Sequence, residues 1–482
     1  MVASTTSTNL KRQSSPSLCN LAFFESNKQF IQKRKAGQPC CFTCAKIQST
    51  HRGNRLAFER QSITIMDKGR EHKSITASTV HWASPYNPLD PRAPKLPTKG
   101  EMKTVIPKEC FERSYTKGFL SVFRDVGMAA APVFLAMRFL SLNPPSTMFC
   151  VEGLLWSMGW TLYSFLVGLA FSGFWELAHE CGHGSLFPSN VLNDVIGFTL
   201  HHIVLTPYFS MKASHAKHHK RVGHSADDEG HTHSTCLDLG FDPSACRTRS
   251  SLLSAFHKSV VGLGGNTLFT ALLIFLNCLF AFPFYLLGLH KTSKFKHDGS
   301  PLASGEVKDH FRPSSGLFHP KVQGKVALST AAFFITLGFL AKLTCDHGFL
   351  AVFLWYLSPV LWQNANLAIT VALQHYDPSV PVYGPDQWSW NRGVLSCTID
   401  RSCGVLGFYN HGATTCHVLH HLFPEIPCYN AVKGTAALSF FLKPKGLYNY
   451  NPETWWKAVW HIFRTCHYIE SRHGVQWPKS FF

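Results

Sequence analysis

Three short stretches of the chain concentrate side chains that bind metals. His179-Glu180-Cys181-Gly182-His183 follows an H-E-x-x-H pattern, "HAKHH" supplies His215, His218 and His219, and "HVLHH" supplies His417, His420 and His421. On a helix, residues three or four apart share a face, so each set presents its rings together. Neutral imidazole ligates iron, zinc or copper. Eight rings exceed the four ligands of a tetrahedral zinc, so two metal ions are the economical reading. The first stretch alone also fits one zinc with Glu180 as the hydrolytic base of a membrane metalloprotease. That chemistry needs only one further ligand and leaves both H-x-x-H-H triplets idle. A metal transporter would place its ligands inside the spans near the midplane, whereas these clusters stand in polar segments beside apolar runs. Histidines elsewhere among the 27, such as His231 and His233, read as ordinary packed or solvated side chains. Gly182 and Gly184 read as residues that let the chain pack closely around the metals.

The elements that must position these rings are apolar helices. Of 482 residues, 15% are charged and 13% aromatic, including 39 Phe and 12 Trp, which suits a membrane protein with sizeable polar parts. The net charge of +18 is compatible with nucleic acid, anionic lipid or an acidic protein. No nucleic-acid module is recognisable, and basic residues flank the apolar runs, so membrane is expected and nucleic acid is not. The 16 cysteines are scattered and imply no disulfide framework. Cys41 and Cys44 have ligand-like spacing without a second pair, and Cys150 and Cys278 read as small hydrophobes.

Four runs, about 126–142, 153–175, 326–341 and 348–374, are expected to form two transmembrane helical hairpins, with Arg138 snorkelling or paired. Ligands of one centre must share a side of the bilayer, and three apolar runs separate His219 from His417. An even number must cross. The run 260–289, interrupted by Asn277 and Pro283, is therefore expected to be membrane-associated without crossing, and the stretch between the first two clusters to be interfacial. The fold class is all-α: a multi-pass membrane protein with a helical cap on one side. Residues 1–100 form a basic, Ser/Thr-rich extension with the bias of a transit peptide or a disordered tail, Met66 being an alternative start. Residues 101–475 form the body and 476–482 a tail.

The residues "AHECGH", "PYFSMKASHAKHH" and "CHVLHHLFPEIPCYNA", with "LQHYDPSVPVYG" and "WNRGVLSCTIDRSCG" between the last two, resemble the membrane fatty-acid desaturase family over about residues 85–475. Within it they resemble the acyl-lipid Δ12 (oleate) desaturases of plant and fungal endoplasmic-reticulum type. The resemblance implies a cytosol-facing cap with two non-haem irons that activate O2 to remove two hydrogens from adjacent methylenes of a membrane lipid's acyl chain. It carries over His179, His183, His215, His218, His219, His417, His420 and His421 as ligands, adds His375, and implies supporting groups at Glu180, His201, Asp228 and Asp400. No His-Pro-Gly-Gly haem motif occurs in the chain, so the expected electron donor is a separate protein: cytochrome b5 in the endoplasmic reticulum, the favoured compartment, or ferredoxin in a plastid. Thr415 and Cys416 stand where the family commonly has an acid and a threonine, and Glu176 replaces an apolar residue. Hydroxylases, conjugases, acetylenases and omega-3 desaturases share the scaffold, and double-bond formation is the expectation.

Overall fold

The computed structural model describes residues 87–90, 93–235, 238, 266–290, 292–303 and 305–480. The transit-like segment up to residue 86, Cys41 and Cys44, Met66 and residues 260–265 of the third apolar run lie outside the described residues. Helix α1 (Lys99–Val105) opens on a capping box: Thr98 accepts the Glu101 N–H while the Glu101 carboxylate accepts the Thr98 N–H.

Two long helices run out and back. Helix α2 (Tyr115–Phe139) starts eleven residues before the apolar run expected at 126, because Ser114 caps it and its buried acid, Asp125, is paired. The fully buried Asp125 accepts from Arg124 Nε at 2.8 Å and lies 2.7 Å from His411 Nε2. The helix stops at Phe139, short of 142, since Pro144 and Pro145 follow and cannot continue it. Arg138 places its guanidinium 5.5 Å from the Phe134 ring. Helix α3 (Val151–His183) is continuous well past residue 175 and ends at Gly184 in the left-handed conformation, φ 70°. Its 33 residues span about 50 Å against a hydrocarbon core of about 30 Å. The excess carries His179 and His183 beyond the apolar part on a rigid rod. Gly184 thus serves the helix end. Gly182 has no close neighbour, since a Cβ there would meet only Lys212, at 3.9 Å.

Helices α4 (Asn190–Ile203) and α5 (Tyr208–Arg221) cover the end of α3. The second out-and-back pair is α7 (Gln323–His347) and the helical stretch from Phe349, which passes through a π turn at Phe353–Leu357 into α8 (Ser358–His375). The near end of α7 is tied to α4 and α5, for Ser329 Oγ accepts the Phe209 N–H and its carbonyl lies 3.0 Å from His202 Nε2. Outward side chains of both pairs, including Phe123, Phe134, Leu155, Ile335 and Phe339, are apolar and more than half exposed, as lipid contact requires.

Helix α6 (Thr267–Leu286) is long and apolar enough to cross a membrane. It packs against α8. Ile274 shares a cluster with Ile369 and Leu373, while Phe282 and Leu286 share one with Leu367 and Val371.

The cap consists of α9 (Trp390–Cys397), α10 (His417–Leu422), α11 (Cys428–Leu442), α12 (Trp455–Thr465) and connecting loops. Its core includes Val222, Tyr383, Leu395, Ile399, Val418 and Phe423. The described residues contain one two-stranded pair, β1 (Val382–Tyr383) against β2 (Val475–Gln476). The expected tail from 476 is therefore tied down, with Lys479 also pairing to Tyr468.

Candidate metal centre

Five elements deliver the rings. The end of α3 brings His179 and His183, one face of α5 brings His215, His218 and His219, the end of α8 brings His375, and α10 brings His417, His420 and His421. The loop after α5 brings one more, His231.

The rings sort into two groups. Nitrogens of His179, His183, His215, His219 and His420 all lie within 4.8 Å of one another, and so do those of His218, His375 and His421. His417 joins the second group through His375, Nε2 to Nε2 at 2.9 Å. Alternate members of the two H-x-x-H-H triplets serve different groups. A helix face is wide enough to straddle two centres, and the two groups consequently share α5 and α10.

The donor set fits metal ions on local chemistry. His215 Nε2 lies 2.7 Å from His179 Nε2 and 2.9 Å from His219 Nε2, yet one nitrogen can share only one proton. Buried nitrogens of His218, His219, His420 and His421 have no hydrogen-bond partner among the described residues. Burial first, and neighbouring imidazoles second, hold His215, His219, His420 and His421 well below the ordinary histidine pKa. They are neutral, with lone pairs available, as ligation requires.

Several rings are held from behind, leaving Nε2 to face inward. His218 Nδ1 lies 2.6 Å from Asp228 Oδ1, and His375 Nδ1 donates to the Cys397 carbonyl at 3.2 Å. Glu180 accepts from the Cys428 N–H and from Ser185 Oγ, both at 2.9 Å, with its other oxygen 3.6 Å from His420 Nδ1. It ties α3 to α11 behind the ring.

The other two expected supporting groups, His201 and Asp400, act through backbone and neighbours and not on a ring nitrogen. His201 Nε2 reaches the Trp175 carbonyl at 3.2 Å and touches no ligand nitrogen, because α4 lies against the flank of α3 one turn before the site. Asp400 holds backbone: it accepts the Val418 N–H at 2.8 Å and the Tyr448 hydroxyl at 2.5 Å, fixing the start of α10. Two groups passed over in the sequence have roles in the geometry. Glu176, a departure from the resembled pattern, sits 3.1 Å from His179 Nδ1, and its spacing of one turn before His179 was the available signal. The His231 ring lies 4.5 Å from that of His375 and 5.0 Å from that of His218. Its pairing with His233 in a polar loop carries no helical spacing, and a lone H-x-H is a weak signal.

A cavity of about 840 Å³ opens from the rings. His179, His218, His375 and His420 line one part of it, and Leu273, Phe280, Leu367, Ala368 and Phe463 another. An apolar channel meeting a cluster of metal-ligating nitrogens can hold a hydrocarbon chain against a metal.

The family model for fatty acid desaturase matches residues 155–450. A Δ12 fatty acid desaturase of Mortierella isabellina is 31% identical over 424 residues, 86% of this chain and 98% of the relative. A fatty acid conjugase of Calendula officinalis is 30% identical over 388 residues, 79% of this chain and 93% of the relative. An oleate hydroxylase of Claviceps purpurea is 31% identical over 396 residues, 78% of each.

Proposed function

The chain belongs to the fatty acid desaturase family, and from that premise we propose that it places a cis double bond at the Δ12 position of oleoyl chains in a membrane lipid, giving linoleoyl chains. The observation that carries the reading is the pair of imidazole groups at one part of an apolar cavity. His179, His183, His215, His219 and His420 would hold one iron, and His218, His375, His417 and His421 the other. Histidine-ligated iron supplies the redox chemistry with O2 that an unactivated C–H bond demands, which redox-inert zinc does not. In the balanced reaction the chain loses two hydrogens from adjacent methylenes. O2, with two electrons and two protons from outside, leaves as two waters.

The protein's share of the work is placement. Glu176, Asp228 and the Cys397 carbonyl fix ring orientation, and burial keeps His215, His219, His420 and His421 neutral. The cavity wall selects which methylenes meet the centre, since an acyl chain offers many nearly equivalent ones and only confinement separates them. We place the enzyme in the endoplasmic reticulum with a separate one-electron donor such as cytochrome b5.

A second reading on the same scaffold, conjugation or hydroxylation, is favoured by Cys416, which lines the cavity beside His417 where the family commonly has threonine. One experiment decides: express the chain in a yeast lacking polyunsaturated lipids and profile its acyl chains. Linoleate with its new bond at Δ12 is expected. Hydroxylated or conjugated products would support the second reading, and unchanged lipids with folded, iron-loaded protein would overturn both.

A further inference from the structure

We propose that His231 is a fifth imidazole ligand of the second metal, alongside His218, His375, His417 and His421. This rests on the two-iron reading above. The second group has four rings where the first has five, and His231 supplies the missing one.

Position is the first argument. Neighbouring ring centroids within the first group stand 4.5–6.3 Å apart, His179 to His215 being 4.5 Å and His215 to His420 6.3 Å. His231 stands 4.5 Å from His375 and 5.0 Å from His218. His417 approaches the same His375 ring at 4.6 Å, so His231 and His417 flank it at matched distances. The ring of His231 has no hydrogen-bond partner among the described residues that would otherwise account for its place; its backbone alone is bonded, to Asp228.

The second argument is that the loop is built to put it there. Asp228 Oδ1 accepts from His218 Nδ1 at 2.6 Å, from the Gly230 N–H at 2.8 Å and from the His231 N–H at 3.2 Å. One carboxylate oxygen thus sets both the ligand ring and the backbone of the residue proposed to join it. Gly230 is the only residue type that fits, since a Cβ would stand 2.7 Å from His218 Nδ1. Neighbours anchor the loop on either side. Asp227 pairs with Arg221 and Lys217, and Glu229 is held by the buried Lys308 at 2.8 Å and by Lys217 at 3.1 Å. A run of three acids so fully engaged leaves the following His231 little freedom.

The test uses the full chain purified in detergent and loaded with ferrous iron. His231→Phe keeps an aromatic ring and removes both nitrogens, and His231→Gln is a milder replacement should the first fail to fold. Iron per chain, the rate of iron loss to a chelator and the Mössbauer spectrum are compared with those of the parent protein. The parent should hold two irons. The variants should lose one of them 10–100-fold more readily, with spectral change confined to one iron. Variants that hold both irons at the parent's rate, with the parent's spectrum, would overturn the assignment of His231 and leave the two-iron reading standing. A parent protein holding one iron, or zinc, would overturn that reading and this inference with it.

Discussion

At the scale of single residues, what distinguishes this centre is how its rings are held. Glu176 stands where the resembled pattern has an apolar side chain, and its carboxylate lies 3.1 Å from His179 Nδ1. Replacing it by leucine restores the apolar type and frees that nitrogen. Glu176→Leu should weaken iron binding at the first group 10–100-fold, as loss of such a partner does elsewhere, whereas Glu176→Gln, which keeps an acceptor oxygen, should lose far less. Chelator competition on purified protein measures the difference. Equal retention by Glu176→Leu and the parent would remove Glu176 from the machinery. The eight box histidines were legible because helical spacing of three and four is a geometric signal that needs no tertiary knowledge. His375 needed the family pattern, since one histidine ending an apolar run has many explanations. Glu176 carried only its spacing of one turn before His179 as a signal, and His231 was not legible as a participant. The contribution of His231 depends on which loop ends beside which ring, and nothing in local spacing encodes that.

At the scale of elements, the apolar runs marked the helices, but their ends were set by other forces. Helix α2 begins eleven residues early because Asp125 finds Arg124 and His411, a partner 286 positions away that no window along the sequence reveals. Helix α3 runs through the boundary between apolar and polar sequence because helix continuity depends on backbone bonding and not on hydropathy. Helix α6 raises the topological question, being apolar enough to cross and packed against α8. An even number of crossings between His219 and His417 requires α6 to return to the side it left. Single cysteines at Asn266 and Leu289, at its two ends, should both react with an impermeant maleimide from the cytosolic face of sealed microsomes. The native Cys345, exposed at the far end of α7, should react only after permeabilisation. Labelling of the Asn266 position that matched Cys345 instead would make α6 a true span.

At the scale of the whole molecule, the parts acquire function through the space they enclose. The cavity draws its walls from α3, α5, α6, α8, α10, α11, α12 and the loops at 230–234 and before α10, between residues 172 and 467. Its apolar contributors look like ordinary core residues in sequence, which is why the metal chemistry could be read from the chain and the shape of the channel could not. That shape should decide chain-length preference. Ala368 lies on α8 seven residues before His375, about 10 Å along the axis, on the cavity wall and clear of every ring proposed as a ligand. Ala368→Phe projects a ring into space now open to substrate, so it shortens the channel without overpacking a filled core. Two methylenes separate an oleoyl from a palmitoleoyl chain, and a pocket distinguishes one methylene by roughly 10–200-fold. The variant should therefore lose about tenfold or more of its turnover on oleoyl lipid relative to palmitoleoyl lipid, with iron content unchanged. The ratio of 18-carbon to 16-carbon dienes in the yeast lipid profile reports this directly. An equal fall in both products would mean that the introduced ring blocks the route to the metals altogether, and that the channel past Ala368 does not measure the chain.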